Sequence, residues 1–534
     1  MNMFLQELTQ KDTVTWNGAL SNSSSGCSLL DYFAKCGSYR GRTLEEVAAD
    51  MASIFGTDED KAMRIVLYNR MITRKPNGFD TVQRGQGQKD EFVKSLAWLE
   101  VNRPELLRKN LHLVPVVGCW KDLWYDSPST KYYNYVNTDW VYELVAMAMQ
   151  DENQRQLVAK FLPKIRSAKN TTRPRHERLN AWAKGLCERL MWTERQYRKF
   201  KSDPSNKAHN FQRVMCEGRW DDLDFGNIPG RALFNLVNGK TLSNHGLENA
   251  YLKWIEKQPV AKFTGYPYEL YEKASVRANS KVKTYTYNAQ FEQLIKVGRD
   301  SIPEEVLQKG VLCALDTSGS MECGGYGDGP APIDVCVGLG IYFSKFLQGA
   351  FADTVVMFDN ESKTLKLKGN FCDRVDQIRN HATAWGSTNF QSVIDEIVRV
   401  RRSNPNIPVS DFPEVLLVVS DMQFNPSESW FQDGNPELTK TNYELAKQKL
   451  AEVGLPPMSI IWWQVNGRDT SDVPSTMFDP GTTLISGFDG SIVTAILGGQ
   501  EEVVDKKTGE KRKLTPDEQM DKALDQDVLN LVQV

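Results

Sequence analysis

The sequence lacks a long apolar run and the common catalytic signatures. No stretch approaches the roughly 18 to 20 apolar residues that a membrane-spanning helix needs. The first residues, MNMFLQELTQKD, lack the basic segment and apolar run of a signal peptide. A P-loop, a zinc-binding histidine pair, a G-x-S-x-G turn and paired catalytic carboxylates are also missing. We therefore expect a cytoplasmic protein that contacts no membrane and is not an enzyme.

A disulfide framework is not expected either, because the nine cysteines stand alone with no C-x-x-C pair. An odd number of separated thiols fits a reducing compartment. At 534 residues the chain is too long for a single core, so we expect two or three domains. Its 40% hydrophobic and 25% charged residues are ordinary for a globular protein.

The net charge of −3 conceals two halves of opposite sign. Residues 1–300 hold 45 Lys and Arg against 34 Asp and Glu, a net charge of +11, and the remainder carries −14. Opposite signs indicate one half that binds a polyanion and one half with another role. The alternative is that the two halves simply attract each other.

Residues 1–300 are expected to form a domain of helices in series. The segments from Thr43 and from Thr57 have the spacing of capping boxes that open helices. Further helical periods are expected at about 139–150, 153–168, 176–190, 193–201 and 207–217. Short helices without intervening strands favour a helical-repeat architecture, although no clean repeat period is visible.

Residues 306–534 are expected to form an α/β domain with a doubly wound, parallel sheet. Short apolar runs rich in β-formers occur at 311–315, 354–358, 415–419 and 458–463. Helical segments lie between them, near 332–348, 389–402 and 439–452, which is the alternation of a parallel sheet. A last helix over 516–532 has an apolar stripe, so we expect it to pack back onto this domain.

Oxygen-bearing side chains follow two of the predicted strands. Asp316, Ser318 and Ser320 form a D-x-S-x-S turn after the first strand, and Asp421 closes the strand 415–419. Thr388 precedes a helix and adds a third hydroxyl. Ligands bind at the carboxyl ends of parallel strands, and hard oxygen ligands suit Mg²⁺ or a similar divalent ion such as Mn²⁺ or Ca²⁺. The alternative is a serine-rich turn that caps a helix.

This pattern resembles the metal-ion-dependent adhesion site of von Willebrand factor A domains. That site pairs D-x-S-x-S with a later Thr and a later Asp, and all five positions are filled here. The resemblance implies that Asp316, Ser318, Ser320, Thr388 and Asp421 bind the metal. It also implies that the metal keeps one coordination position for an acidic residue of a protein partner.

The most basic window is 151–200, with 13 Lys and Arg against 5 Asp and Glu. Such density suits contacts to RNA phosphates, and the alternative is a solvated helix face with ion pairs. Tyr197 and Phe200 are candidates for stacking on bases and equally good candidates for the core. The candidate RNA-binding residues are Lys160, Lys164, Arg166, Lys169, Arg173, Arg175, His176, Arg178, Arg198, Lys199 and Lys201.

The order of a helical half and a von Willebrand A domain resembles the Ro autoantigen family, the TROVE-module proteins. Local phrases agree, including RGQGQ at 84–88 and GCWKDL at 118–123, which has an echo in GRWDDL at 218–223. The phrases FLPK at 161–164 and ISGF at 485–488 look closer to an uncharacterised sister group with the same layout. The resemblance implies a ring of HEAT-like repeats that holds small noncoding RNAs and threads single-stranded ends of misfolded RNA.

Two functions are therefore open. The first is a non-catalytic, RNA-binding ribonucleoprotein component with a metal-dependent interaction domain. The second is a protein-interaction adaptor, in which the metal site grips an acidic partner such as a chaperone-type ATPase and the helical half is a scaffold.

Overall fold

A computed structural model describes residues 13–15, 17–76, 78–126, 133–170, 173–203, 211–299, 310–322, 329–348, 351–381, 386–426, 440–466, 473–489, 502–504 and 511–534. The chain divides into two compact units. One, here called the sheet unit, comprises Met1–Arg40 and Phe225–Asp525. The other, the helical unit, comprises Gly41–Asp224 and Gln526–Val534.

The sheet unit contains one sheet of six strands. In chain order these are β1 (Val311–Asp316), β2 (Thr354–Phe358), β3 (Ser362–Lys366), β4 (Val415–Ser420), β5 (Ser459–Gln464) and β6 (Thr482–Ser486). Their order across the sheet is β6-β5-β4-β1-β2-β3. Neighbouring strands are parallel except for the edge pair β2 and β3. The four predicted strands are confirmed, and the sequence reasoning missed β3 and β6.

Both faces of this sheet are covered, because β1, β4 and β5 are buried at every position. A continuous apolar run is the signature of a strand buried on two sides. On one face, alternate residues such as Leu315 and Trp463 share a core with Phe291 and Phe371, whose rings stack 4.3 Å apart. On the other face Trp462 packs against Phe390. The carboxyl ends of the parallel strands therefore meet at one edge of a sheet that has a core on each face.

Helices of the sheet unit flank the sheet, and the three predicted helices between strands are confirmed. The described helices are Ser28–Cys36, Gly230–Asn238, Thr241–Asn244, Glu248–Ile255, Pro267–Ser275, Lys281–Arg299, Pro332–Ser344, Phe371–His381, Gln391–Ser403, Asn442–Glu452 and Pro516–Leu524. Short 3-10 turns cover Phe225–Asn227, Gly319–Glu322 and Val409–Asp411. Short antiparallel pairs join Thr13–Val14 to Leu20–Ser21 and Glu502–Val504 to Lys511–Lys513.

The helical unit is built from consecutive helices that pack on their chain neighbours, as predicted. Its α-helices are Leu44–Thr57, Glu59–Arg70, Asp90–Asn102, Pro104–Asn110, Val114–Val117, Thr138–Gln150, Glu152–Phe161, Pro174–Arg189, Glu194–Ser202 and Phe211–Cys216. Its 3-10 helices are Leu111–Leu113, Trp120–Leu123, Ala168–Asn170, Trp220–Asp222 and Leu529–Leu531. A strand pair, Trp124–Asp126 with Tyr133–Tyr135, was not predicted. Closure of these helices into a ring stays a prediction.

Two helix boundaries differ from the prediction. Thr43 does form a capping box with Glu46, but the second helix is capped by Asp58, which accepts from the amide of Lys61. Thr57 is the last residue of the preceding helix, so its box is not formed. The helix expected over 153–168 ends at Phe161, because Pro163 cannot continue it.

The compact units do not follow the predicted boundary near residue 300. Residues 1–40 and 225–299 belong to the sheet unit. The predicted last helix ends at Leu524, with Met520 and Leu524 buried in the sheet unit. Residues from Gln526 onward belong to the helical unit, where Val528 and Leu529 are buried. Amphipathic spacing identifies an apolar face but does not identify the core that receives it.

None of the described helices combines the length and the apolar character that crossing a membrane requires.

Candidate metal centre and basic surface

The register of the sheet brings two carboxylates to one edge. Strands β1 and β4 are parallel neighbours, with Leu315 opposite Val419. Asp316 therefore ends β1 beside Ser420, and Asp421 follows directly. Both aspartates are almost completely buried, with 0% and 2% of their surfaces exposed. The two predicted acidic ligands thus come from adjacent strand ends.

The carboxylate of Asp316 is held in a fixed orientation. Its Oδ1 accepts from the backbone amide of Ser318 at 3.0 Å, and its Oδ2 accepts from the hydroxyl of Ser420. The Ser420 hydroxyl in turn accepts from the amide of Met422 at 2.9 Å. A group that is both buried and oriented in this way needs no reorganisation to act as a ligand.

The three predicted hydroxyls come to the same edge. The Oγ atoms of Ser318 and Ser320 are 3.2 Å apart on the turn after β1. The amide of Gly319 donates to the carbonyl of Gly386 at 3.1 Å, which ties this turn to the segment that carries Thr388. Asn425 connects the same segment to the loop after β4. The backbone amide of Thr388 donates to Oδ1 of Asn425, and the backbone amide of Asn425 donates to the carbonyl of Thr388. Hydrogen bonds thus join the three segments that supply the five side chains.

The electrostatics of this edge favour a cation. Burial, followed by the charge of Asp421, raises the pKa of Asp316, while hydrogen bonds from Ser318 and Ser420 oppose the rise. Two carboxylates with little access to water repel each other, and a divalent cation removes that repulsion.

The donor set fits a small, hard cation. Two carboxylates and three hydroxyls are oxygen ligands of the kind that Mg²⁺ accepts, with water completing its shell. Among the residues that the structure describes, no three His, Cys, Asp or Glu side chains gather closely enough to hold a metal on their own. A cation at this edge would therefore rely on oxygen ligands beyond the two carboxylates, and the hydroxyls of Ser318, Ser320 and Thr388 are the candidates.

An N-terminal segment that sequence reasoning overlooked lies beside this edge. The side-chain amide of Asn17 donates to the hydroxyl of Thr388 at 3.3 Å and to the carbonyl of Gln423 at 2.5 Å. The hydroxyl of Thr15 donates to the carbonyl of Phe424 at 2.6 Å. The residues in these contacts are some 370 to 410 positions apart in sequence, so a local sequence pattern could not predict them.

The basic window of the helical unit presents most of its predicted residues to solvent. Lys160, Lys164, Arg166, Lys169, Arg173, Arg175, Arg198 and Lys199 are exposed, and His176, Arg178 and Lys201 are half-buried. Arg198 forms an ion pair with Glu194 at 2.5 Å. Exposed cations of this density create the positive field that a polyanion requires.

The charge of the helical unit is concentrated in this window. The whole unit holds 31 Lys and Arg against 26 Asp and Glu, whereas residues 151–200 alone hold 13 against 5. Outside the window the unit therefore carries 18 against 21, which is slightly acidic. The net positive charge of the unit therefore comes from the window alone.

Both aromatic candidates for base stacking lie in the core. Tyr197 is fully buried, and its hydroxyl donates to the carbonyl of Pro163 at 2.7 Å. Phe200 is 8% exposed and packs on Trp192. The stacking hypothesis is wrong for Tyr197, whose ring meets no solvent, and Phe200 offers too little surface to a base.

The related phrases GCWKDL and GRWDDL form matching 3-10 turns. Trp120 is buried, in keeping with a structural role. Asp122 is also buried, and its Oδ2 accepts from Nε of Arg70 at 2.7 Å. Asp222 instead pairs with Arg219 on the exposed surface. The shared pattern therefore specifies a turn, while the two ion pairs have different environments.

Comparison with known proteins shows similarity to a family model, to a viral protein and to a solved structure. A family described as a domain of unknown function, DUF7788, matches residues 311–533, which contain the sheet and the candidate metal centre. An uncharacterized protein of Acanthamoeba polyphaga mimivirus, L728, is 22% identical over 526 residues, covering 91% of this chain and 85% of the viral protein. Neither description states a function.

The third similarity is to a solved structure, that of the Ro (RSR) protein of Deinococcus radiodurans. The two share 14% sequence identity, with a TM-score of 0.44. The similarity covers 88% of this chain and 98% of the Deinococcus protein.

Proposed function

We propose that the protein binds RNA through the basic window of its helical unit and performs no catalysis. The observation that carries the proposal is the exposure of this charge, because eight of the eleven candidate side chains, all eight of them Lys or Arg, face solvent. Surface lysines and arginines that neutralise phosphates release counterions, and this release drives nucleic-acid binding. The Ro-like sequence phrases favour small noncoding or misfolded RNA with single-stranded ends as the ligand.

We also propose that the sheet unit is a von Willebrand A domain that binds a divalent cation. Asp316, Ser318, Ser320, Thr388 and Asp421 would hold Mg²⁺, or Mn²⁺ or Ca²⁺ in its place. When bound, the ion supplies an electrophilic position for an acidic side chain of a protein partner. The adjacent strand ends and the buried pair of carboxylates support this part of the proposal.

The test of RNA binding is a fluorescence-anisotropy titration at several salt concentrations. Each single-strand phosphate contact contributes roughly 0.7 to the slope of log affinity against log salt, so four to six contacts give a slope of about −3 to −4. Replacing the exposed Lys169, Arg173 and Arg175 with Ala should flatten the slope by about 2. Lys75→Ala, an exposed lysine outside the window, is the matched control and should change nothing.

Blunt and tailed RNAs extend this test to the ligand class. RNA with a single-stranded tail should bind more tightly than a blunt duplex, because the proposed ligand is a single-stranded end. Weak binding of both RNAs without salt dependence would reject the RNA proposal. The adaptor function, favoured by the buried carboxylate pair, would then remain.

The test of the metal site is thermal unfolding with and without Mg²⁺. A ligand at about 100 times its Kd stabilises the folded state by about 2.7 kcal/mol, which raises the melting temperature measurably. Asp316→Asn should abolish this response because it removes a charged ligand. The control is Asp411→Asn, an exposed carboxylate of the same unit that should keep the response. Equal Mg²⁺ stabilisation of wild type and Asp316→Asn would contradict the assignment.

A further inference from the structure

Two lysines from different parts of the helical unit flank the ring of Phe161. Lys121 lies in the 3-10 helix Trp120–Leu123, and Lys160 lies in the last turn of the helix Glu152–Phe161. The Nζ of Lys121 is 5.7 Å from the ring centroid, and the Nζ of Lys160 is 5.4 Å from it. An ammonium within about 6 Å of an aromatic centroid is attracted to the ring. The ring therefore holds two positive charges near each other.

A third lysine, Lys164, lies just after Phe161 in sequence. It follows the helix end at Phe161, and it is exposed. The backbone around Phe161 is held by hydrogen bonds, because Nζ of Lys201 donates to the carbonyls of Ala159 and Leu162 at 2.7 and 2.6 Å. The hydroxyl of Tyr197 fixes the next carbonyl, that of Pro163. The backbone that carries Lys160 and Lys164 is thus tightly held.

The charges of this cluster act on one another. Burial, then Lys164 and Lys121, lowers the pKa of Lys201 to about 8. The carboxylate next to Lys121 in sequence, Asp122, is buried and bound to Arg70. Lys121, Lys160 and Lys164 are all exposed, so the cluster presents three positive charges to solvent.

We propose that Lys121, Lys160 and Lys164 form a phosphate clamp in which Phe161 positions the ammonium groups. The clamp rests on the proposed RNA binding and adds Lys121, which lies outside the basic window. Its ligand is a set of closely spaced phosphates, supplied by a single-stranded RNA backbone or by a free polyphosphate. Because the lysines lie over the ring, Phe161 serves the phosphate contacts and is not a platform for bases.

Three variants test the clamp against a short single-stranded oligouridylate. Lys121→Ala should flatten the salt slope by about 0.7 and weaken binding about fivefold at about 0.1 M salt, the effect of one lost contact. Phe161→Leu keeps every charge, so the slope should stay unchanged while affinity falls about two- to threefold. Lys75→Ala is the control and should match wild type. Circular dichroism and melting temperature check that each variant is folded.

Two further ligands separate phosphate from base recognition in the wild-type protein. An abasic oligonucleotide of the same length should bind as tightly as the oligouridylate, and inorganic tripolyphosphate should displace both. Tripolyphosphate should displace the oligouridylate less effectively from the Lys121→Ala variant than from the wild-type protein. Loss of binding to the abasic strand would overturn the clamp in favour of base stacking.

The outcomes for the clamp and for RNA binding are distinguishable. A Lys121→Ala variant that behaves like Lys75→Ala, while wild type binds RNA with a steep salt slope, overturns the clamp alone. Wild-type protein that fails to bind the oligouridylate at low salt overturns the RNA proposal and the clamp together.

Discussion

Glu91 should make the stability of the helical unit fall as the pH rises from acid to neutral. Its carboxylate is buried, although Arg42 lies 3.0 Å away and also contacts Asp50 at 2.8 Å. Burial, the largest effect, raises the pKa of Glu91 to about 7, while Arg42 opposes the rise and Asp50 adds to it. The cost of removing the carboxylate from water thus exceeds the attraction of its ion pair.

The sign and size of the effect follow from this shift. An unfolded glutamate loses its proton near 4.5, whereas folded Glu91 keeps its proton up to about 7. Between these values the unfolded state binds fewer protons, so the free energy of unfolding decreases as the pH rises. The stabilisation is complete below pH 4.5 and is lost by about pH 7. At 1.36 kcal/mol per pKa unit, the loss is about 3 kcal/mol.

Glu91→Gln isolates this contribution, because the amide is neutral at every pH. The variant should match wild type near about pH 4.5 and exceed its stability by about 3 kcal/mol at about pH 8. Arg42 keeps its ion pair with Asp50 in the variant, so its guanidinium retains a partner. The measurement is the difference between wild-type and variant urea midpoints at each pH, in which the other titrations cancel. Glu45→Gln, at an exposed carboxylate, should show no such trend.

A variant less stable than wild type by the same margin at both ends would refute this reasoning. That result would mean that Glu91 stays ionised throughout and that the Arg42 pair stabilises the fold.

Two further predictions compare the matching turns of the helical unit. Asp122→Asn should lower the free energy of unfolding by about 3 to 5 kcal/mol, because it leaves the buried guanidinium of Arg70 without its charge partner. Asp222→Asn removes an exposed pair with Arg219 and should leave the free energy of unfolding nearly unchanged. Urea unfolding measures both changes, and equal costs would contradict the assignment of different environments to the two turns.

The candidate metal centre could be predicted from sequence because its parts are local. Each motif follows or precedes a recognisable element, and the carboxyl ends of adjacent parallel strands meet by rule. In this sheet Leu315 pairs with Val419, which places the ends of the two strands side by side. The hydrogen bonds of Thr15 and Asn17 to this edge could not be predicted from local patterns, because their partners lie hundreds of residues away in sequence. Local patterns therefore indicated the candidate ligands but not the Thr15 and Asn17 side chains that lie beside them.

The division into units was harder to predict for a related reason. The apolar stripe that begins at Met520 continues at helical spacing through Val528, yet the helix stops at Leu524. Met520 and Leu524 are buried in one unit and Val528 in the other. Hydrophobic periodicity predicts that a residue is buried but does not predict which residues it packs against. The same limit explains why the helices over 230–299 were expected in the helical half.

Charge counted by sequence half is an incomplete argument for the basic window as the polyanion-binding region. The excess of +11 over residues 1–300 includes cations that belong to the sheet unit, and the helical unit itself carries only +5. What distinguishes the window 151–200 is that its excess of 8 positive charges sits on a surface that is otherwise slightly acidic. Lys121 joins that surface through the ring of Phe161, some 40 residues away in sequence. A polyanion responds to the charges that packing brings together, so we expect the proposed clamp, and not the charge count of a sequence half, to determine where RNA binds.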